Sequence, residues 1–549
     1  MATNKFWQNH AVYQIYPRSF CDSNGDGIGD IPGIISKLDY LKSLGVGILW
    51  LSPIYCSPND DMGYDVSDYK AINPEYGTMA DFDRLILEAK KRDLRIVMDL
   101  VVNHTSDEHA WFKESKKPDS PYRDYYYWRE GKKNNTLPPN NWTSMFPGSA
   151  WEFVPEVGLW YLHLYGKKQP DLNWHNPKVK DEVESILRFW LDKGVYGFRC
   201  DVIDQIYKES LEDGKGFAPS GRGIEHYLMT EGNHKILQEL QADVFSHYDC
   251  VVIGETFKVD IPNGQRFLNG EMAMFFQFDA METDKWWNPF WAKRFKAKKF
   301  MAILYRWQKG VDWNANYLEN HDQRRSISRF GDPRHYWKES GKMLGLLNFT
   351  LRGTPFIYEG EELGMLNYPY KEKPGEYKDV CCDFLAATFK KFHFPKHLAI
   401  KFIDVYNRDH ARSPMQWDST PNAGFSKTSG PCWLPLNPNY PNLNARLESL
   451  DSHSILAFYQ KLTQLRLEHS ALNLGSIVPL KGTSYVFAYR RQDEKESLLV
   501  LLNFSKKNRR IPKRLRPDGG TLLLSDYDDT SLTNLKKLRP FEALVLVEK

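Results

Sequence analysis

Long apolar runs are missing from this chain of 549 residues. Stretches such as 45–51 and 498–502 fall far short of the ~20 residues that cross a bilayer, so no membrane-spanning segment is expected. Neither sign of charge prevails: 73 Lys and Arg stand against 70 Asp and Glu, a formal +3. That balance excludes the strongly basic nucleic-acid binders and the acidic-tail class. Cysteine is sparse and odd in number, at Cys21, Cys56, Cys200, Cys250, Cys381, Cys382 and Cys432, with no C-x-x-C pair; a disulfide scaffold and a zinc ribbon are both excluded. The opening MATNKFWQNHAVYQIY has no apolar stretch ending in a small-residue cleavage site, so no secretory signal is expected and a reducing cytoplasm is the expected location. P-loop, H-E-x-x-H and dinucleotide fingerprints are absent too, as are internal repeats.

What is present is an alternation. Short apolar runs are expected as strands at Val12–Tyr16, Gly47–Leu51, Arg95–Val102, Gly197–Asp201, Val251–Glu255, Met272–Phe278, Ala315–Leu318 and Thr354–Tyr358. Between them, Phe82, Leu85, Ile86 and Ala89, and later Val183, Ile186, Leu187, Trp190 and Leu191, keep helical spacing. Eight strands alternating with helices predict an α/β fold, a closed (β/α)8 TIM barrel. The gap between the third and fourth strands is too long for one crossover, and its Pro-, Asn- and Trp-rich middle (KKNNTLPPNNWTSMFPG) predicts an inserted subdomain over 104–175. The barrel then spans 1–103 and 176–474, and the short β-rich runs over 475–549 predict a carboxy-terminal all-β sandwich. Residues 365–410 carry no periodicity that places them.

At the carboxy ends of barrel strands, polar side chains face the active-site mouth. Here those ends read DLVVNH (Asp99 to His104), GFRCD (Gly197 to Asp201), VVIGE (Val251 to Glu255) and YLENHD (Tyr317 to Asp322). One such Asp is ordinarily a turn residue. Three carboxylates and two histidines at one mouth are the equipment of glycosidic cleavage, where one carboxyl protonates the leaving oxygen and another attacks the sugar. Arg199 lies on the same strand face as Asp201, placed to lower the pKa of that carboxylate. Glu255 is expected to be raised by burial and by the neighbouring aspartates.

Together with QPDLN (Gln169 to Asn173), these four motifs resemble the signature regions of the α-amylase family of glycoside hydrolases. GYDVSDY (Gly63 to Tyr69) and RSPMQWD (Arg412 to Asp418) resemble its oligo-1,6-glucosidase and α-glucosidase branch. The resemblance implies a retaining exo-acting α-glucosidase with Asp201 as nucleophile, Glu255 as general acid and base, and Asp322 as the third carboxylate. The two reacting carboxyls of a retaining enzyme stand about 5 to 5.5 Å apart. It implies a pocket for one terminal glucose formed by Asp61, Tyr64, His104, His321 and Arg412, with Tyr165 and Gln169 at its entrance; the family usually carries Phe where this chain has Tyr165. Val202, next to the nucleophile, is the residue type of α-1,6-acting members, whereas α-1,4-acting members commonly have Ala or Thr. The leading expectation is release of glucose from α-1,6-linked oligosaccharides such as isomaltose and panose. An α-1,4-glucosidase or sucrose-active α-glucosidase is the alternative; a trehalose-6-phosphate hydrolase, a sucrose isomerase and a non-catalytic sugar-binding subunit stand further off. A small oligosaccharide is the expected partner, neither nucleic acid nor membrane, and the chain is expected to act as a monomer.

The run DSNGDGIGD (Asp22 to Asp30) sets oxygen side chains at alternating positions around Gly27, as a calcium loop does, but it lacks the closing Glu of an EF-hand. By spacing alone, a metal-free loop rich in Asx turns fits equally. The resemblance implies a structural Ca2+ held by Asp22, Asn24, Asp26, the Ile28 carbonyl and Asp30, with no cofactor for catalysis.

Overall fold

The computed structural model describes residues 5–146, 148–285, 295–370 and 377–548. Eight parallel strands form its centre: β1 Val12–Ile15, β2 Ile48–Leu51, β3 Arg95–Val101, β4 Gly197–Asp201, β5 Val251–Glu255, β6 Met274–Phe276, β7 Ala315–Asn316 and β8 Thr354–Tyr358. β4, β5 and β8 match the expected strands residue for residue; the others are trimmed at their ends. The strands hydrogen-bond in the order β6-β5-β4-β3-β2-β1-β8-β7. Among the described residues no backbone ladder joins β6 to β7. Side chains close that seam: the Tyr317 hydroxyl donates to the Gln277 carbonyl at 3.0 Å, and the Tyr317 ring meets Phe276 edge-on at 5.1 Å. Both faces of each strand are buried, which is why the runs read as continuously apolar rather than alternating. Inside, Trp50 stacks on Phe276 at 5.6 Å and meets Phe356 edge-on at 6.3 Å, so the barrel is a packed core.

The outer helices follow their periodicity. Met79–Lys90 starts at a capping box between Thr78 and Asp81 and buries Phe82, Leu85 and Ala89. Pro177–Asp192 begins with Asn176 as cap and Pro in its first turn, and buries Val183, Ile186, Leu187, Trp190 and Leu191. Between β3 and β4 the chain builds a three-stranded antiparallel sheet, Trp128–Arg129, Leu159–Leu162 and Trp151–Val154, with a core of its own around Trp142, Trp151, Leu162 and Leu164. The stretch that periodicity left unplaced contains two packed helices, Val380–Lys391 and Lys396–Tyr406, beside the barrel mouth.

Strands Ser476–Leu480, Val486–Gln492, Ser497–Asn503, Ala543–Val547 and Thr521–Ser525 form, in that spatial order, an antiparallel sheet. Its residues sort by parity, as a two-faced sheet demands. Val486, Ala488, Leu499, Leu501, Leu544 and Leu546 pack against Ile511 and Leu538 of a small two-stranded ribbon region, completing a sandwich. Phe487, Tyr489, Leu498, Val500, Leu502 and Val545 face the barrel core. Two buried arginines lock this joint. Arg491 donates to the carbonyls of Thr350, Leu472 and Gly475 at 2.9, 3.1 and 3.0 Å, and Arg466 to those of Leu472, Gln8 and Gly353 at 3.0, 2.7 and 2.7 Å. Burial pulls both guanidinium pKa values down to about 9. Arg491→Met takes the donor from the Thr350 and Gly475 carbonyls, while Leu472 keeps Arg466, and should cost about 3 kcal/mol, measured as a lower denaturant midpoint; an unchanged midpoint would show that the joint holds without it.

Candidate active site

Side chains on a strand alternate, so Arg199 and Asp201 point from β4 to the same side. There Arg199 meets the carboxylates of two adjoining strands. Its Nη1 lies 2.6 Å from Asp99 Oδ1 on β3 and 2.7 Å from Asp201 Oδ1, and its Nη2 lies 2.6 Å from Glu255 Oε2 at the end of β5. One guanidinium therefore serves three carboxyls, a task that suits its planar fork of donors. The group is buried, Arg199 being 1 % exposed and Asp201 and Glu255 7 % each. Three negative charges against one positive charge are costly at low dielectric, and a retained proton relieves them. Burial pushes Glu255 up to about 8; Arg199 pulls it down, while Asp201 and Asp322 add to the rise. Asp201 and Glu255 are thus held side by side on the two terminal nitrogens of one guanidinium. Asp201 departs from expectation: Arg199 does pull it down, but burial outweighs the pull and leaves it at about 6.

Val202 follows Asp201 in the left-handed region, at φ 37° and ψ 41°. For a β-branched residue that conformation is strained by roughly 1–3 kcal/mol. The turn aims the Val202 N–H at Glu255 Oε2, 3.1 Å away, so the strain is tied to holding the acid.

Asp322 sits on the opposite side under different control. Arg412 Nη2 donates to its Oδ1 at 2.8 Å, Arg408 Nη1 lies 3.4 Å from the same oxygen, and His321 Nε2 lies 3.2 Å from Oδ2. Burial alone would push Asp322 up, but these three partners hold it well below the usual carboxylate range. His321 is itself brought down to about 3 by burial. It is neutral at ordinary pH and serves as an N–H dipole, the charge coming from the two arginines. Gln14 Nε2 lies 2.8 Å from Nδ1 and, donating to it, leaves the proton on Nε2, which faces Asp322 and the Tyr64 hydroxyl at 2.7 Å. Tyr64 stacks on His321 with planes 5° apart and donates to Asp99 Oδ2 at 3.2 Å, joining the two halves of the site.

The remaining expected residues close the pocket. Asp61 is paired with Arg408 Nη2 at 3.0 Å and approached by Gln169 Nε2 at 3.4 Å. His104, kept neutral by burial, donates from Nε2 to the Tyr64 carbonyl at 3.0 Å. The Tyr165 hydroxyl donates to Gln205 Oε1 at 3.2 Å. A cavity of about 510 Å3 is lined by Asp61, Tyr64, His104, Tyr165, Gln169, Asp201, Val202, Glu255 and Asp322. Arg199, His321 and Arg412 lie behind this wall, holding the carboxylates that form it. Asp99, Arg408 and Asp379 were not foreseen. Asp99 stood inside DLVVNH as a buried strand carboxylate, a signal in itself. Arg408, clamped by Asp379 at 2.8 Å, lies where periodicity was silent.

The loop from Asp22 to Asp30 is closed by its own side chains. Asp22 accepts from the N–H groups of Gly25 and Gly27 at 2.6 and 2.8 Å, Asp26 from Ile28 at 2.8 Å, and Asp30 from Ser23 and Gly33 at 2.9 and 2.6 Å. Among the described residues no three His, Cys, Asp or Glu side chains draw together as a metal cage. Yet Asp22 and Asp30 are 1 % and 3 % exposed, and among the described residues neither has a Lys or Arg partner. The donors at hand, carboxylate, amide and carbonyl oxygens, suit a hard cation.

Residues 14–475 match the family described as alpha amylase, catalytic domain. Over 98 % of both chains the sequence is 46 % identical to the oligo-1,6-glucosidase of Parageobacillus thermoglucosidasius. It is 46 % identical to that of Halalkalibacterium halodurans over 100 % of both. The solved trehalose-6-phosphate hydrolase of Bacillus licheniformis shares the fold at a TM-score of 0.91, with 40 % identity over 100 % of each chain. A barrel mouth that gathers Asp201, Glu255 and Asp322 around one cavity and a match along nearly the whole sequence lead to one conclusion: the chain belongs to the alpha-amylase family of glycoside hydrolases.

Proposed function

We propose that the protein is a retaining, exo-acting α-glucosidase that releases glucose from the non-reducing end of α-1,6-linked oligosaccharides. The observation that carries the reaction is the Arg199 fork, which holds Asp201 by one terminal nitrogen and Glu255 by the other. An inverting enzyme keeps its carboxyls about 6.5–9.5 Å apart to admit a water between them; two carboxyls sharing one guanidinium support the closer, retaining spacing. In the first step Asp201 attacks the anomeric carbon while Glu255 gives its proton to the departing oxygen. In the second, Glu255 takes a proton from water, which displaces Asp201. Asp322, kept ionised by Arg408 and Arg412, grips sugar hydroxyls and favours the cationic transition state. The Asp61–Arg408 pair walls off the inner end of the pocket, which supports exo action.

For the linkage, Val202 on the cavity wall between nucleophile and acid supports α-1,6 preference, as do the names of the relatives. Arg324, beside the site, is committed to Asp284 at 2.9 Å, so it offers no ready welcome to a phosphorylated aglycone. The stretch 296–313 is largely a surface helix, Ala297–Gly310, packed by Phe300, Met301, Leu304 and Trp307. The complete carboxylate set within one chain is consistent with a monomer, and seven free cysteines with a reducing cytoplasm. Among the described residues no helix is long and apolar enough to cross a membrane. We further infer that the Asp22 to Asp30 loop binds Ca2+ through Asp22, Asn24, Asp26, the Ile28 carbonyl and Asp30, bracing the barrel away from the chemistry.

Isomaltose and maltose supplied together and followed by early proton NMR test the reading: isomaltose should disappear first with α-glucose as the first product. Val202→Ala should move the preference toward maltose. Faster loss of maltose from the parent enzyme would favour the α-1,4 alternative, and β-glucose as first product would end the retaining mechanism. The pH profile follows from the two carboxyls. Asp201 works ionised, so kcat/KM should climb as pH rises through about 6; Glu255 works protonated, so it should fall through about 8. A profile still rising beyond the Glu255 value would assign the acid elsewhere. Calcium added to chelator-treated protein should raise Tm, and Asp22→Ala should abolish the rise; an unmoved Tm would leave the loop as a metal-free turn.

A further inference from the structure

The hydrogen-bond ladder between β4 and β5 ends at the rung that pairs Cys200 with Gly254. Asp201 and Glu255 are the next residues along, so main-chain pairing no longer fixes the gap between these two carboxyls. Toward β6 the ladder runs on: Glu255 pairs with Phe276, and Thr256 donates to the Phe276 carbonyl from its N–H at 3.3 Å and its hydroxyl at 2.9 Å. Toward β4, Arg199 and the Val202 N–H hold the Glu255 side chain, and a buried aspartate holds its main chain. Asp204 lies in the single turn Ile203–Gln205 that follows Val202, and its Oδ2 accepts the N–H of Phe257, two residues beyond Glu255, at 2.6 Å. The Asp204 carbonyl accepts the Met229 N–H at 2.7 Å, which ties the same turn to the segment leading into the helix Glu231–Asp243. Asp204 is fully buried, and among the described residues no Lys or Arg stands at ion-pair distance from it. Burial, with Glu255 adding to it, pushes this carboxyl well above the usual carboxylate range. A buried acid without a cation is a poor packing residue; what it contributes here is the bond to Phe257.

We propose that Asp204 is a positioning residue for the general acid: by tying Phe257 to the turn after Asp201, it sets where the Glu255 proton stands relative to the departing oxygen. The proposal rests on the retaining α-glucosidase reading and adds no chemical step to it. Asp204 does not line the catalytic cavity, so it acts through Glu255 rather than on the sugar. Past the last rung of the ladder, its carboxylate oxygen does the work of a missing backbone carbonyl. An acid displaced by a fraction of an ångström protonates the leaving group less well, while the attack by Asp201, held by Arg199 on its own strand, is spared.

The test compares two donors on the full-length enzyme. Isomaltose needs its leaving oxygen protonated, whereas the fluoride of α-glucosyl fluoride departs without a proton; both need Asp201 and the glucose pocket. For each donor kcat/KM ends at glucosyl transfer to Asp201, before a base is called on, so the ratio of isomaltose to fluoride isolates the acid. That ratio is also independent of how much of a variant is folded. Asp204→Ala removes the acceptor and should lower the ratio about tenfold, out of the roughly 10²–10⁴ that a positioned acid supplies. Asp204→Asn keeps an oxygen for the Phe257 N–H and should hold the ratio within about twofold of the parent. Equal losses on both donors in Asp204→Ala, or a ratio that falls as far in Asp204→Asn, would overturn the proposal and leave the α-glucosidase reading intact. No cleavage of either donor by the parent enzyme would overturn both.

Discussion

One guanidinium governs this site. Arg199 binds Asp99, Asp201 and Glu255 from three neighbouring strands at 2.6 to 2.7 Å, and no other cation reaches that group at ion-pair distance among the described residues. A single positive charge cannot balance three negative ones in a buried space, so a proton stays at neutral pH. It resides on Glu255, the member nearest both Asp201 and the field of Asp322, and a carboxylic acid protonated near neutrality is what leaving-group departure demands. Asp322 is treated in the opposite way, with two arginines, Arg412 and Arg408, set against its carboxylate. Three carboxyls of like chemistry thus take different roles from their surroundings alone.

Backbone geometry completes what charge begins. Asp201, the proposed nucleophile, is the last residue of β4, and the chain turns at once through Val202 in a conformation that β-branched residues avoid. Strain of this kind persists when its surroundings over-determine it. Here the turn yields an N–H aimed at Glu255, so nucleophile and acid are coupled through the Arg199 fork and again through the main chain.

The barrel was legible because its strands are short apolar runs with both faces buried, and because carboxylates, Asp99 within β3 excepted, interrupt those runs at the carboxy ends. Asp201, Glu255, Asp322, Asp61, His104 and Gln169 were all expected at the mouth, and all line one cavity. Asp99 escaped notice because its partner is one strand away in space, while sequence order separates it from Arg199 by the inserted subdomain. Arg408 escaped for a different reason: the helix pair that delivers it buries few residues, so no apolar stripe announces it. The sign of the Asp201 shift was misjudged because strand spacing reveals the charge partner but not the depth of burial.

The direct test of these roles is to separate the two steps. Glu255→Gln removes the proton donor and the later base but leaves Asp201 and its Arg199 contact. With a donor whose leaving group departs without protonation, such as α-glucosyl fluoride, the first step should proceed and the second should stall. Mass spectrometry of the protein and its peptides should then find one added glucosyl unit, on Asp201. An adduct on Asp322 or Asp99, or release of β-glucose with no adduct, would contradict the account.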